Sequence, residues 1–213
     1  MMSEPIGRIL IRKKIISEAD LKAAMERQQQ EPGKYLGQIL CEMGFPQSRI
    51  VRAIFSNNKR KRIGEILVDR GALAQETLDE YLLEQQALKK KGVYVPLGTL
   101  LVQRKIVSGE NYLSALSAHF SMPVVSLVDC RASAALQRQI GEAFAARNRI
   151  VVLKSSPRQL TVAVAQPDPV VFEQLEKAMP RDKSILFCLA PPGEIESCLD
   201  QVYDPFRKNS ILD

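Results

Sequence analysis

The chain has 213 residues, of which 46% are hydrophobic and 25% charged, and its formal net charge is +6. This composition is typical of a globular protein with one large core or two small ones, and it argues against a disordered chain. No apolar run approaches the ~20 residues that span a bilayer, and the N-terminus lacks the pattern of a secretory signal. We therefore expect a cytoplasmic protein with no direct membrane insertion.

A short pattern recurs four times in the first half of the sequence. Every copy opens with an aliphatic residue and a glycine, and a leucine follows three residues after that glycine. The four openings are Ile6-Gly7, Leu36-Gly37, Ile63-Gly64 and Leu97-Gly98. Apolar residues then resume at helical spacing, and a polar residue closes each copy; the closing residues are Gln28, Asn58, Gln85 and His119.

Each copy is predicted to form two helices joined by a tight turn. At the turn position, Gly44 and Gly71 suit a left-handed helix C-cap, whereas Lys14 and Lys105 must adopt the same turn at a steric cost. Because one such pair cannot bury its apolar face alone, the copies should pack together as a compact helical bundle over residues 1–121.

The second helix of a copy has recognisable start signals. Ser17 and Ser108 provide hydroxyl groups at the N-cap position, with carboxylates in the turn that follows. Ser17 with Asp20 three residues later approximates a capping box.

From residue 122 the pattern changes to short β-branched runs that alternate with helical stretches, which indicates a small α/β domain over residues 122–204. The predicted elements are an extended segment at 124–128, a helix at 134–148, a hairpin of strands at 150–153 and 160–165, a helix after Asp168, a strand at 185–189, and a helix ending at 203. Residues 205–213 are predicted to be a flexible tail. The predicted fold class is α+β, an N-terminal all-helical repeat bundle followed by a small α/β domain with a three- to four-stranded sheet.

The sequence lacks the common motifs of catalytic and metal-binding sites. The sequence contains no GxxxxGK[ST], GxSxG, HExxH or GxGxxG pattern. The single histidine, His119, occupies the closing position of a repeat with no nucleophile signature, Cys or acidic cluster near it, so we expect neither an enzyme nor a metal site. The cysteines are widely spaced and are predicted to be reduced structural thiols: Cys41, Cys130, Cys188 and Cys198.

Two basic runs, at residues 59–62 and 89–91, carry much of the excess positive charge. They are interpreted as solvated linkers, with a phosphate or partner contact as the alternative. Nucleic-acid binding through these runs is a further alternative, disfavoured because no aromatic residues are interleaved with the charges.

The repeats and the α/β half together resemble a known family. The units at 63–85 and 97–127, including the segment IGEILVDRG, closely resemble the N-terminal, MshEN-like domain of type II secretion and type IV pilus assembly ATPases of the GspE/PilB family. The resemblance covers residues 5 to 204. It implies a non-catalytic docking or regulatory module, without the ATPase motor, that binds inner-membrane platform proteins or a motor ATPase. Whether the natural chain continues into a motor is left open.

In some members of that family a pair of repeats binds cyclic di-GMP. The pattern is an arginine two residues before the repeat glycine, that glycine, a second glycine seven residues later, aliphatic residues between them, and a closing glutamine. Arginine can pair with phosphate or stack on guanine. Only the third copy keeps the whole pattern, and the candidate ligand residues are Arg62, Ile63, Gly64, Leu67, Gly71 and Gln85.

The other copies depart from the pattern of two good repeats in succession. Pro5, Tyr35 and Pro96 stand at the arginine position, and Lys14 and Lys105 replace the second glycine. A cyclic di-GMP receptor centred on the third repeat is therefore the alternative function. Otherwise these glycines and leucines serve only as turn and core.

Overall fold

The computed structural model describes residues 4–57, 61–93, 95–130, 134–180 and 183–203. These residues form twelve helices and one three-stranded sheet, which confirms the predicted α+β class. None of the described helices is both long and apolar enough to cross a bilayer. The predicted tail at 205–213 lies outside the described residues.

The four repeats form four helix pairs in chain order. Their helices are α1 (Ile6–Arg12) and α2 (Glu18–Gln30), α3 (Leu36–Glu42) and α4 (Gln47–Phe55), α5 (Ile63–Asp69) and α6 (Gln75–Lys90), and α7 (Leu97–Gln103) and α8 (Gly109–Phe120). The short first helix and longer second helix of each copy confirm the two-helix prediction.

The turn inside each repeat has the same left-handed backbone in all four copies. The φ angles at the turn position are 55° at Lys14, 97° at Gly44, 67° at Gly71 and 59° at Lys105. In the third copy the Gly71 N–H donates to the Val68 carbonyl at 2.9 Å, and the Ala72 N–H donates to the Leu67 carbonyl at 2.9 Å. This is the Schellman arrangement, which satisfies carbonyls at a helix end. The prediction that lysine adopts the glycine turn in two copies is confirmed.

The predicted start of the second helix is also confirmed. The Asp20 N–H donates to the Ser17 hydroxyl at 3.1 Å, and the Ser17 N–H donates to the Asp20 carboxylate at 2.8 Å, which completes a capping box. In the fourth copy the Asn111 N–H donates to the Ser108 hydroxyl at 3.2 Å.

The opening glycine of a repeat allows its two helices to approach closely. In three copies a Cβ at this glycine would collide with the side chain fourteen residues later, at 2.7 Å for Gly7 and Leu21, 2.5 Å for Gly64 and Leu78, and 2.1 Å for Gly98 and Tyr112. In the second copy a Cβ on Gly37 would lie 2.8 Å from the carbonyl oxygen of Ser121, at the end of α8. The glycine is therefore explained by helix packing, independently of any ligand.

The α/β half adds four helices and three strands. They are α9 (Ala134–Gln137), α10 (Glu142–Asn148), β1 (Ile150–Ser155), β2 (Gln159–Val164), α11 (Pro169–Ala178), β3 (Ser184–Leu189) and α12 (Pro192–Tyr203). The hairpin β1–β2 is antiparallel, and β3 lies parallel to β2, in the order β1-β2-β3. The predicted extended segment at 124–128 contributes only an isolated bridge between Val124 and Leu189, so the sheet has three strands in the described residues.

The single helix predicted at 134–148 is wrong, because the chain forms two short helices there. Gly141, between α9 and α10, has φ +83°, which a continuous helix excludes. Gln137, the last residue of α9, is fully buried, and its side chain bonds to β1. The apolar spacing continues across the break and gave no sign of it.

The largest hydrophobic core crosses from the helical half into the α/β half. Ile9, Leu40 and Ile54 belong to the same buried cluster as Phe172 and Phe187, whose rings stack 3.7 Å apart. The third and fourth repeats have a separate core, made of Leu67, Leu73, Leu78, Leu101, Val107 and Ala115. The first two repeats and α8 thus share a core with the sheet, and a domain boundary between residues 121 and 122 stays a prediction.

Buried glutamines satisfy backbone groups on both edge strands of the sheet. On β3, the Gln47 side-chain amide donates to the Phe187 carbonyl at 3.1 Å and accepts from the Phe187 N–H at 2.9 Å. On β1, Gln137 donates to the Ile150 carbonyl at 3.3 Å and accepts from the Val152 N–H at 3.0 Å. Because Gln47 begins α4, the first of these pairs also fastens the helical half to the sheet.

Candidate ligand-binding site

Four of the six predicted ligand residues line one pocket of about 740 Å³: Arg62, Ile63, Gly64 and Gln85. The other two do not line it. Leu67 is fully buried in the core of the third and fourth repeats, and Gly71 lies exposed in the turn after α5. The sequence pattern therefore mixes pocket residues with residues of the core and the turn.

The pocket lies where the third and fourth repeats meet, and it is lined by equivalent positions of both copies. Counted from the opening glycine, these positions are −2, −1, 0, +18 and +21. They are occupied by Arg62, Ile63, Gly64, Leu82 and Gln85 in the third copy, and by Pro96, Leu97, Gly98, Leu116 and His119 in the fourth. We call this cavity the repeat pocket. Its lining has an approximate two-fold correspondence that suits a ligand with two similar halves.

Arg62 provides a positive charge to the repeat pocket. It directly precedes α5, where its backbone N–H donates to the Glu65 carboxylate at 2.6 Å. The side chain is exposed, and its guanidinium makes no hydrogen bond or ion pair to a described residue. It can therefore contact an anion without first breaking an internal contact.

Gln85 has a structural role that a second copy repeats. Its side-chain amide donates to the Val95 carbonyl at 2.7 Å, two residues before the fourth repeat opens. Gln28, at the same position of the first copy, donates to the Lys34 carbonyl at 2.9 Å, two residues before the second repeat opens. The closing glutamine thus orients the entry to the next repeat, while its Oε1 is left to accept a further hydrogen bond.

One wall of the repeat pocket comes from the α/β half, which the sequence did not indicate. The loop between β2 and α11, together with the first two residues of α11, contributes residues 166–170 to the lining; we call this segment the loop at 166–170. The Gln166 amide donates to the Thr99 hydroxyl at 3.0 Å, which holds this loop against α7. Asp168 is the N-cap of α11, in agreement with the helix predicted after it.

Aromatic side chains add flat apolar surface to the repeat pocket. Phe55, Tyr112 and Phe120 line it, and the rings of Phe55 and Phe120 lie 4.7 Å apart. Phe55 is 54% exposed, which is high for a large apolar side chain. Burial raises the pKa of Tyr112 to about 12, so its hydroxyl remains a hydrogen-bond donor at neutral pH.

A second cavity of about 470 Å³ adjoins the repeat pocket and shares residues with it, including Gly98, Tyr112 and Asp168. It lies between the fourth repeat and the end of β2, and α11 and α12 begin beside it. The two cavities are therefore neighbours, and both lie between the helical half and the loop at 166–170.

The buried thiols are in an environment that disfavours the thiolate. All four cysteines are free, and three are buried, with only Cys130 partly exposed. Burial raises the pKa of Cys41 well above its usual range and that of Cys188 to about 12. Within the described part of the chain, no group of three His, Cys, Asp or Glu side chains could hold a metal ion.

The structure describes the basic run at 59–62 in part and the run at 89–91 in full. Lys59 and Arg60 lie outside the described residues, while Lys61 forms an ion pair with Asp69. The run at 89–91 is exposed at the end of α6.

Comparison with known proteins bears on both halves of the chain. Residues 120–209 match the sequence model of the MshEN domain, and no curated protein matches the chain. A solved structure described as MshE with cdg, the dinucleotide cyclic di-GMP, has a TM-score of 0.57 and 28% identity, over 68% of this chain and 100% of that one. The N-terminal domain of XpsE shares the fold, with a TM-score of 0.53 and 16% identity over 67% of this chain and 94% of its own. The predicted MshEN-like resemblance is confirmed.

Proposed function

From the MshEN match over residues 120–209 and the fold shared with MshE, we propose that this protein is a non-catalytic docking and regulatory module of a type II secretion or type IV pilus system. The observation that supports the proposal most is the matched α/β half, joined to the first two repeats and to α8 through one continuous core. Its partners would be cytoplasmic regions of inner-membrane platform proteins, or a motor ATPase.

A non-catalytic role agrees with the chemistry of the chain. Its sequence has no phosphate-binding loop, which ATP hydrolysis by this class of motor requires. Its buried thiols have raised pKa values, which is unfavourable for nucleophilic catalysis.

The docking proposal is tested by pull-down of the tagged full chain with purified cytoplasmic regions of platform proteins and with the motor ATPase of each system. We expect specific retention of one of these proteins, and no ATP hydrolysis by the chain alone. Failure of every platform and motor protein to bind would overturn docking, and ATP turnover by the chain alone would overturn the non-catalytic role.

A second candidate function is reception of cyclic di-GMP, and the repeat pocket favours it. Its lining pairs equivalent positions of two repeats, and cyclic di-GMP is likewise built from two identical halves. The guanidinium of Arg62 is available for phosphate or guanine, and the MshE structure contains the same dinucleotide.

Isothermal titration calorimetry of the full chain with cyclic di-GMP tests this second function. We expect binding that Arg62→Ala abolishes, with Arg8→Ala, which removes an exposed arginine outside the pocket, as the matched control. Absence of heat at high micromolar ligand would remove the second candidate and leave the docking proposal intact.

A further inference from the structure

The two halves of the repeat pocket differ in their polar groups. The third repeat contributes Arg62 and Gln85, whereas the fourth has Pro96 and His119 at the same positions. Proline provides neither a charge nor a donor. A ligand with two identical halves would therefore meet the guanidinium of an arginine and the amide of a closing glutamine at one end only.

The loop at 166–170 is placed to supply polar groups at the other end. It lines the repeat pocket together with Gly98, and Gln166 is bonded to Thr99, the next residue along α7. This bond holds the loop beside the opening of the fourth repeat, the half of the pocket that has no arginine. The following helix, α11, contacts α4 and β3, so the base of the loop is fixed by packing.

Asp168 is the acidic residue of this loop, and its carboxylate is only partly used. Its Oδ1 accepts from the N–H groups of Val170 at 2.8 Å and Val171 at 3.2 Å, which caps α11. Its Oδ2 makes no hydrogen bond to a described residue, and the side chain is exposed. Capping fixes the position of the carboxylate and leaves one oxygen free to accept.

A carboxylate at this place selects one kind of base. An ionised carboxylate only accepts hydrogen bonds. The Watson–Crick edge of guanine presents two adjacent donors, the N1–H and the 2-amino group, whereas adenine presents an acceptor at N1. A carboxylate in the pocket therefore favours guanine and disfavours adenine.

We propose that Asp168 completes the fourth-repeat half of the repeat pocket by accepting hydrogen bonds from a guanine of the bound dinucleotide. This inference rests on the second candidate function, reception of cyclic di-GMP. It makes the site a composite of the helical and α/β halves, with Arg62 from the third repeat and Asp168 from the loop at 166–170. A ligand bound there also contacts the third repeat, the fourth repeat and the loop of the α/β half together.

The test is calorimetry of the full chain with cyclic di-GMP and with cyclic di-AMP, for the unchanged protein and for Asp168→Asn. Asparagine also caps helices through its side-chain oxygen, so α11 is retained. Its neutral amide accepts more weakly and adds donors that oppose those of guanine. We expect Asp168→Asn to weaken cyclic di-GMP binding about tenfold or more and to reduce the preference over cyclic di-AMP, because hydrogen bonds to charged groups are the strong ones.

Asp129→Asn is the matched control, since Asp129 is an exposed carboxylate outside the pocket lining, and it should leave binding unchanged. If the unchanged protein binds cyclic di-GMP, Arg62→Ala abolishes binding and Asp168→Asn has no effect, the composite site is wrong while the receptor function stands. If the unchanged protein does not bind, both are overturned.

Discussion

The side chain of Gln47, at the start of α4, pairs with both backbone groups of Phe187 on the edge strand β3. It occupies the place that a neighbouring strand would take, and it is buried together with the backbone that it bonds. Around this contact, Ser48 bonds to Glu176, and Arg52 forms an ion pair with Glu173, both on α11. The second repeat is therefore fastened to the α/β half through polar contacts as well as through the shared core.

We predict that Gln47→Leu lowers the free energy of unfolding by about 2–6 kcal/mol. The substitution leaves a buried N–H and a buried carbonyl of β3 without partners, and each such group costs about 1–3 kcal/mol. Urea denaturation followed by circular dichroism measures the change. Gln86→Leu, at an exposed position of α6, is the control and should have little effect. An equally stable Gln47→Leu protein would show that this contact does not fasten the two halves.

We predict that Lys105→Gly stabilises the protein by about 0.5–1 kcal/mol, although lysine is normally the better residue at a helix end. Lys105 has φ 59°, a conformation that is strained for a residue with a Cβ and free of strain for glycine. Lys14→Gly should behave in the same way. Lys22→Gly, in the exposed interior of α2, should instead destabilise by about 1 kcal/mol. Thermal unfolding measures the stability of the three variants. A loss of stability in both Lys14→Gly and Lys105→Gly would contradict the strain assigned to lysine at this turn.

We predict that Gly98→Ala lowers the free energy of unfolding by about 1–3 kcal/mol, the range for overpacking. Its Cβ would lie 2.1 Å from the Tyr112 ring, so one of the two helices must move. In a Tyr112→Ala background the same substitution should cost little, because the ring that it meets is gone. Gly193→Ala is the control, since a Cβ there meets no atom within 4 Å. If Gly98→Ala destabilises the Tyr112→Ala protein just as much, the loss of stability does not come from the contact between the new Cβ and the Tyr112 ring.

We predict that Cys130 reacts first with a thiol reagent at pH 8. It is partly exposed, whereas burial raises the pKa of Cys188 to about 12 and leaves little thiolate to react. Cys130→Ser should remove the fast phase, and denaturant should expose the remaining thiols.

Because the folded pKa of Cys188 exceeds its ordinary value of 9.0, the stability that this thiol contributes is complete below pH 9 and is lost as the pH rises towards 12. Rapid labelling of Cys188 in the native protein would contradict its burial.

Local features of the fold could be predicted from the sequence because each depends on neighbouring residues. The four turns, the Ser17 capping box and the β1–β2 hairpin follow from glycine, hydroxyl and β-branched positions. The break at Gly141 could not be predicted in this way. It depends on Gln137 reaching β1, a contact between elements that the apolar spacing does not encode.

The residues of the candidate site also differ in whether the sequence alone can predict them. Arg62, Gly64 and Gln85 belong to one repeat, and their spacing within it predicts them as ligand residues. Asp168 is separated from Arg62 by more than a hundred residues, and only the packing of α11 against α4 brings its loop to the pocket. Leu67 fits the same spacing but lies in the core, because a helix repeats its apolar residues for burial whether or not a ligand is present.

The most direct test of the docking function is biolayer interferometry of the immobilised full chain against the purified cytoplasmic regions of secretion and pilus platform proteins, with the motor ATPases measured alongside. We predict saturable binding to a platform or motor protein of one system, with a micromolar or tighter dissociation constant, on the order of −8 kcal/mol or better. No saturation by any of them at about ten times that concentration would contradict it.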